Sequence, residues 1–240
     1  MWRKTVDDFL AVKGLTIADI GCGGGIYTRA MLEMGAGHVF AIDASHTMLD
    51  GARSFLSDHK KVTFLEGEAS TIPLEAEVAN VVLERALIHH LQRSELRENV
   101  KELYRILQPG GFVLIQDRTL EDCFLPPDKE HVRGHFFTLF PELRKYEQVR
   151  RYNSDYVIRQ LHGAGFFKIK VKKLMETRFL YPNHHELYKD LIQRRGRSIL
   201  HELKDEELEH LASYIQDQYL PNESIIEKDR WTIWMAQKPR

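Results

Sequence analysis

The residues of this 240-residue chain best suited to chemistry are acids spaced through its first ninety positions. Asp19 stands two residues before the first glycine in ADIGCGGG, which reads as D-x-G-x-G-x-G through Gly21, Gly23 and Gly25. Asp43 ends HVFAID, Glu68 lies in EGEAS, and Glu84 ends VANVVLE just before Arg85, His89 and His90. Glycines allow positive φ and close approach of backbone to a ligand. A carboxylate twenty-two residues after Gly21 can accept both ribose hydroxyls of a nucleoside. Glu68 is spaced to meet an adenine edge. Together these types suggest the holding of a nucleoside-bearing cofactor.

Three such cofactors compete for the glycine loop. A nucleoside-triphosphate loop needs Lys followed by Ser or Thr after its last glycine. Here Ile26, Tyr27 and Thr28 follow Gly25, so that reading fails. A dinucleotide loop, G-x-G-x-x-G, wants glycine at position 26 for close helix–strand packing, and isoleucine weakens it. Asp19 decides the direction. A buried acid repels a pyrophosphate and favours a ligand carrying an ammonium or sulfonium.

These residues need a scaffold that gathers them. LTIADI (15–20), HVFAID (38–43), KVTFLEG (61–67), VANVVLE (78–84) and FVLIQD (112–117) read as strands. Helices are expected between them. One starts after the glycines with Tyr27, Ala30, Met31 and Met34 on one stripe. One is capped by Ser45. One carries Leu96, Val100, Leu103 and Leu107 and stops at Pro109. The alternation predicts an α/β fold, doubly wound, with a mostly parallel sheet. Acids at matched strand ends then face the crevice where open parallel sheets bind ligands. Further on, Ser154 is expected to cap a helix, and GFFKIKVKKL (165–174) to form a strand with one wet face or edge. Residues 183–220 read as helical and RWTIWMAQ (230–237) as a closing strand.

The series ADIGCGGG, AIDAS, EGEASTIPL, VVLERALIHHL and LQPGGFVLI resembles the class I S-adenosylmethionine-dependent methyltransferases over about residues 10–117. The resemblance implies seven strands in the order 3-2-1-4-5-7-6, the seventh antiparallel. It implies S-adenosylmethionine as cofactor and S-adenosylhomocysteine as product, with no metal. Gly21, Gly23 and Gly25 would form the cofactor loop, and Asp19 would order it beside the cofactor's ammonium. Asp43 would hold the ribose, with Ala44 and Met48 near the adenine. Glu68 and Ala69 would meet the adenine edge, and Glu84 would sit beside the methionine moiety through its backbone. The family often places a small polar residue or Asp at that last position, so Glu84 departs from it.

Methyl transfer to an activated carbon needs alignment and exclusion of water, and a base only where the acceptor carries a proton. His89 and His90 are the candidate bases; the competing reading is that they orient the loop. Arg85 binds an acidic acceptor or makes a structural ion pair, the latter preferred. His131 and His135, four apart, are read as a solvent-exposed pair and not as metal ligands. QRRGR (193–197) is read as a solvated helix end, and Phe136, Phe137 and Phe140 as core.

Composition narrows the class. The 34 basic and 35 acidic residues leave a net charge of −1, so no global field gathers nucleic acid and no DNA partner is expected. Cys22 and Cys123 read as free thiols in a reducing compartment. No apolar run approaches a membrane span and no signal-peptide core is seen, so no membrane partner and a cytoplasmic location are expected. About fourteen residues precede the first strand, a short lead that leaves open a missing N-terminal cap. The whole, 1–240, is expected to be one methyltransferase domain, monomeric or homodimeric, with insertions at 118–150 and 176–228 forming a lid on the acceptor side. An enclosed lid favours a small-molecule acceptor. The alternatives are an RNA or protein methyltransferase, or a non-catalytic S-adenosylmethionine-binding regulatory subunit.

Overall fold

The apolar runs become strands because parallel strands covered on both faces bury nearly every side chain. In the computed structural model, which describes residues 2–240, Ile17, Ala18 and Ile20 are buried, as are Val39, Ala41, Ile42 and Val81 to Leu83. The first elements are α1 (Trp2–Asp7), β1 (Thr16–Ile20), α2 (Ile26–Glu33), β2 (His38–Asp43), α3 (His46–Phe55), β3 (Val62–Glu66) and β4 (Ala79–Arg85). Then come α4 (Arg93–Ile106), β5 (Leu107–Asp117), α5 (Leu120–Cys123), α6 (Arg133–Leu139), α7 (Leu143–Arg150) and α8 (Ser154–Gly163). The chain ends with β6 (Phe167–Tyr181), α9 (His184–Ile192), α10 (Asp205–Gln216) and β7 (Ile225–Gln237).

The sheet has seven strands in the order β3-β2-β1-β4-β5-β7-β6, as expected. β1 pairs in parallel with β2 and β4, β2 with β3, and β4 with β5, whereas β7 runs antiparallel to β5. Parallel register sets Ile20 beside Ile42 and Glu84, and Asp43 beside Glu66. The C-terminal ends of four strands therefore reach one edge of the sheet, where the candidate acids lie. No helix among the described residues is long and apolar enough to cross a membrane.

The chain divides into two compact units. The first is the chain up to Asp117 with Tyr152–Lys173 and Thr232–Arg240. Its core joins sheet residues such as Val82, Val113 and Ile115 to Leu96, Val100 and Leu103 of α4. The second is Arg118–Arg151 with Leu174–Trp231, so two segments distant in sequence pack as one body. Its core includes Phe136, Phe137, Leu187, Leu191, Leu208 and Leu211. The boundary falls inside β6 and β7.

Local signals held in part. Ser45 caps α3, its hydroxyl accepting from Met48 N at 3.3 Å. The cap of α8 is Asn153, not Ser154: the Asn153 side chain accepts from Tyr156 N at 2.8 Å. Ser154 instead accepts the indole N–H of buried Trp234 at 2.9 Å. Two neighbouring capping residues compete, and the tertiary partner of one decides. β6 and β7 also run longer than expected. Residues 225–229 of β7, IIEKD, bury Ile225, Glu227 and Asp229 on one face. The acids hide the alternation, because a buried charge reads as solvent-facing until its partner is known.

Two expectations about the second unit are overturned. His131 and His135 are buried, 2% and 7% exposed, not a solvent-exposed pair. Burial lowers the pKa of both. QRRGR is not a solvated helix end throughout: Arg197 is 2% exposed. Its guanidinium donates to Glu227 at 2.6 Å, to Asp190 at 2.5 Å and to Tyr181 Oη at 3.0 Å. A buried arginine is tolerable there because each of its partners accepts a hydrogen bond.

Candidate cofactor site

The glycine loop turns directly into α2. Gly25 is the N-cap of that helix, in the left-handed region at φ 84°, with no side-chain cap. A Cβ at Gly25 would come within 2.9 Å of the Leu56 side chain and 3.2 Å of that of Ala52. That position thus serves chain direction and packing against α3. Gly23, at φ 52°, differs: a Cβ there would meet nothing within 4 Å, so its backbone faces open space.

Asp43 moors this loop. Its Oδ2 accepts from Gly23 N at 2.8 Å, and its Oδ1 from Ser45 N at 2.9 Å. Each carboxylate oxygen keeps a second lone pair for a ligand hydroxyl. Asp19 lies deeper, 2% exposed, accepting from Thr28 Oγ1 at 2.5 Å. Burial pushes its carboxyl up to about 6, with the Thr28 hydrogen bond opposing and Asp43 adding to the rise. Asp19 is thus ionised at neutral pH and offers a charge complementary to a cation.

Asp19, Gly21, Gly23, Asp43, Ala44, Met48, Glu68, Ala69 and His90 line one cavity of about 660 Å³. That volume is within the range of small-molecule and cofactor sites. Cys22, Tyr27, Arg85, Leu87, Leu91 and Glu95 also line it. Leu87, Leu91 and Glu95 carried no readable signal. They follow β4 in a short 3₁₀ turn (Ile88–His90) and the start of α4, where apolar residues read as ordinary packing.

Three candidate residues are not among those lining the cavity. Gly25 is the packing position described above. Glu84 is 1% exposed, and its Oε1 accepts from Asn99 Nδ2 at 2.7 Å. The same Asn99 nitrogen donates to Ala69 O at 3.1 Å. Glu84 thereby reaches the cavity wall through Asn99 of α4. Burial pushes its carboxyl up to about 8, Asn99 opposing and Asp117 adding, so Glu84 is largely protonated at neutral pH. Its Oε2 has no hydrogen-bond partner among the described residues, which a neutral acid tolerates far better than a carboxylate. His89 is the third. Its Nδ1 lies 2.8 Å from Asp117 Oδ2, and its backbone N–H donates to the same oxygen at 3.2 Å. These contacts with Asp117 fix the orientation of the His89 ring. The His90 ring lies 4.0 Å from that of His89.

The donor set suits a nucleoside that carries a cation: an acid at the end of β2, a loop of open backbone, and a buried acid. Residues 18–115 match the family described as methyltransferase domain. The match spans the glycine loop to β5, the part of the chain that builds the cavity. Over 135 residues the chain is 28% identical to the tRNA (carboxymethyluridine(34)-5-O)-methyltransferase ALKBH8 of Mus musculus. That alignment covers 55% of this chain and 19% of the relative. Over 116 residues it is 31% identical to the demethylmenaquinone methyltransferase of Clavibacter sepedonicus, 48% of this chain and 46% of the relative. The chain thus spans less than half the length of either. Among solved structures, phosphoethanolamine N-methyltransferase 2 of Haemonchus contortus in complex with S-adenosyl-L-methionine superposes with a TM-score of 0.62 at 22% identity. It covers all of this chain and 53% of its own. That likeness carries the fold alone. Among the described residues, no three His, Cys, Asp or Glu side chains gather where a metal ion would sit.

Proposed function

We propose that this protein is an S-adenosylmethionine-dependent methyltransferase acting on a small-molecule acceptor. The observation that carries the reading is the cavity at the strand ends, lined by Asp19 and Asp43 together with the glycine loop. When bound, the cofactor supplies a methyl group already activated by a sulfonium. The chain's own task is to hold and orient. Asp43 takes the ribose hydroxyls, Ala44 and Met48 flank the adenine, and Glu68 with Ala69 meets its edge. Gly21 and Gly23 let the backbone approach, and Asp19 faces the ammonium. Glu84 acts at one remove, through Asn99. His90, on the cavity wall, is the candidate to accept an acceptor's proton, with Asp117 and His89 behind it.

The two insertions expected at 118–150 and 176–228 fall largely in the second unit, and their proposed role is to serve the acceptor and not the cofactor. The balanced charge favours a small acceptor over RNA, because polynucleotide binding rests on many phosphate contacts from Lys and Arg. The relative that methylates a tRNA keeps the RNA reading as the second one. Calorimetry tests the cofactor directly. S-adenosylmethionine and S-adenosylhomocysteine are expected to bind and NAD not to; binding of NAD alone would overturn the proposal. Steep weakening of acceptor turnover with salt would favour RNA.

A further inference from the structure

If the cavity holds the adenosyl cofactor as proposed, its charge balance assigns one more partner. Among the described residues lining it, carboxylates come from Asp19, Asp43, Glu68 and Glu95, and Arg85 is the only arginine or lysine. The amino-acid end of the cofactor is a zwitterion. Its ammonium suits these acids, but its α-carboxylate is repelled by them. A carboxylate leaving water for a cleft needs a cation or several N–H donors in return.

Arg85 is held for that task. Its guanidinium lies 4.2 Å over the Tyr27 ring. Tyr27 is met edge-on by Trp2, with ring centroids 4.7 Å apart, and the Trp2 indole N–H donates to Gln116 Oε1 at 2.7 Å. A cation over an aromatic ring is held electrostatically by the ring's face, and a guanidinium can meet a carboxylate with two parallel hydrogen bonds. Arg85 also acts electrostatically on Asp19, opposing the rise in its pKa. Cation and anion thus line one cavity, as the two charged ends of an α-amino acid require.

We propose that Arg85, steadied by Tyr27 and Trp2, binds the α-carboxylate of the cofactor's amino-acid end. The rival ligand for Arg85 is an anionic methyl acceptor, and the two separate cleanly by experiment. Calorimetry is run on the wild type and Arg85→Met, each with S-adenosylhomocysteine and with its carboxamide, in which the α-carboxylate is a neutral amide. In the wild type, the amide is expected to bind about 10- to 100-fold more weakly, the loss of a hydrogen-bonded charge pair. In Arg85→Met, S-adenosylhomocysteine should weaken by a similar factor, and acid and amide should bind within about threefold of each other. Equal binding of acid and amide by the wild type overturns the assignment without any variant. So does an Arg85→Met protein that keeps wild-type affinity for S-adenosylhomocysteine, the result an acceptor-binding Arg85 gives. So does one that still separates acid from amide as the wild type does. A wild type that binds neither ligand brings down the cofactor reading itself.

Discussion

Single residues in this protein act through their surroundings more than their type. Asp19 and Glu84 are both fully buried acids near one cavity, yet they differ in state. Asp19 has Thr28 as a short hydrogen-bond donor and Arg85 nearby, and its carboxyl stays near 6. Glu84 has one amide donor and the unfavourable Asp117, and it rises to about 8. The folded Glu84 therefore keeps its proton between its ordinary value of 4.5 and about 8, while the unfolded chain loses it. Stability from this site is full below pH 4.5 and is lost as pH rises to about 8, by up to about 1.4 kcal/mol per pH unit. Glu84→Gln keeps the amide-like shape without the proton. Urea unfolding across that window should show a flatter fall for Glu84→Gln than for the wild type. An unchanged slope would mean that Glu84 is ionised in the fold.

At the scale of elements, β2 and the glycine loop are one device. Asp43 ends the strand, accepts from Gly23 in the loop, and accepts from Ser45, the residue that caps α3. Three elements meet on one carboxylate. Asp43→Ala should weaken S-adenosylhomocysteine binding by about 1–3 kcal/mol, as the loss of a charge-assisted hydrogen bond does, and also loosen the loop. Calorimetry reads the first effect and amide exchange at Gly23 the second. Full affinity with a loosened loop would assign Asp43 to mooring alone. Position 25 teaches a related lesson. The glycine pattern places it with Gly21 and Gly23, but its Cβ space is filled by α3 and not by the cavity.

The whole molecule is two units that use charge differently. The first sets buried Asp19 into its cavity wall and holds Glu84 and Asp117 off that wall, whereas the second buries ion pairs in its interior. Glu147 accepts from Arg133 at 3.0 Å and from Arg151 at 2.7 Å, and Arg197 bridges Glu227 and Asp190. Removing one member of such a set strands the others. Arg197→Met should cost about 3–5 kcal/mol, seen as a lower urea midpoint. A loss under about 1 kcal/mol would show that water replaces the guanidinium.

Much of the first unit was legible in the sequence, because apolar runs, glycines and strand-end acids are local patterns whose meaning does not depend on distant partners. ADIGCGGG, HVFAID and VANVVLE told where strands stop, and the order of the sheet followed from the resemblance they carry. The second unit was legible only as an interruption. Nothing in QRRGR or IIEKD says which charges turn inward, since burial of a charge depends on a partner far along the chain. Arg197 and Glu227 are thirty residues apart, and Asp122 and Arg230 over a hundred. Sequence by itself picked out Asp19, Asp43, Glu68 and the glycine loop, but not Glu95. Tertiary structure decided which of those acids reach the cavity directly, because only packing fixes what each side chain meets.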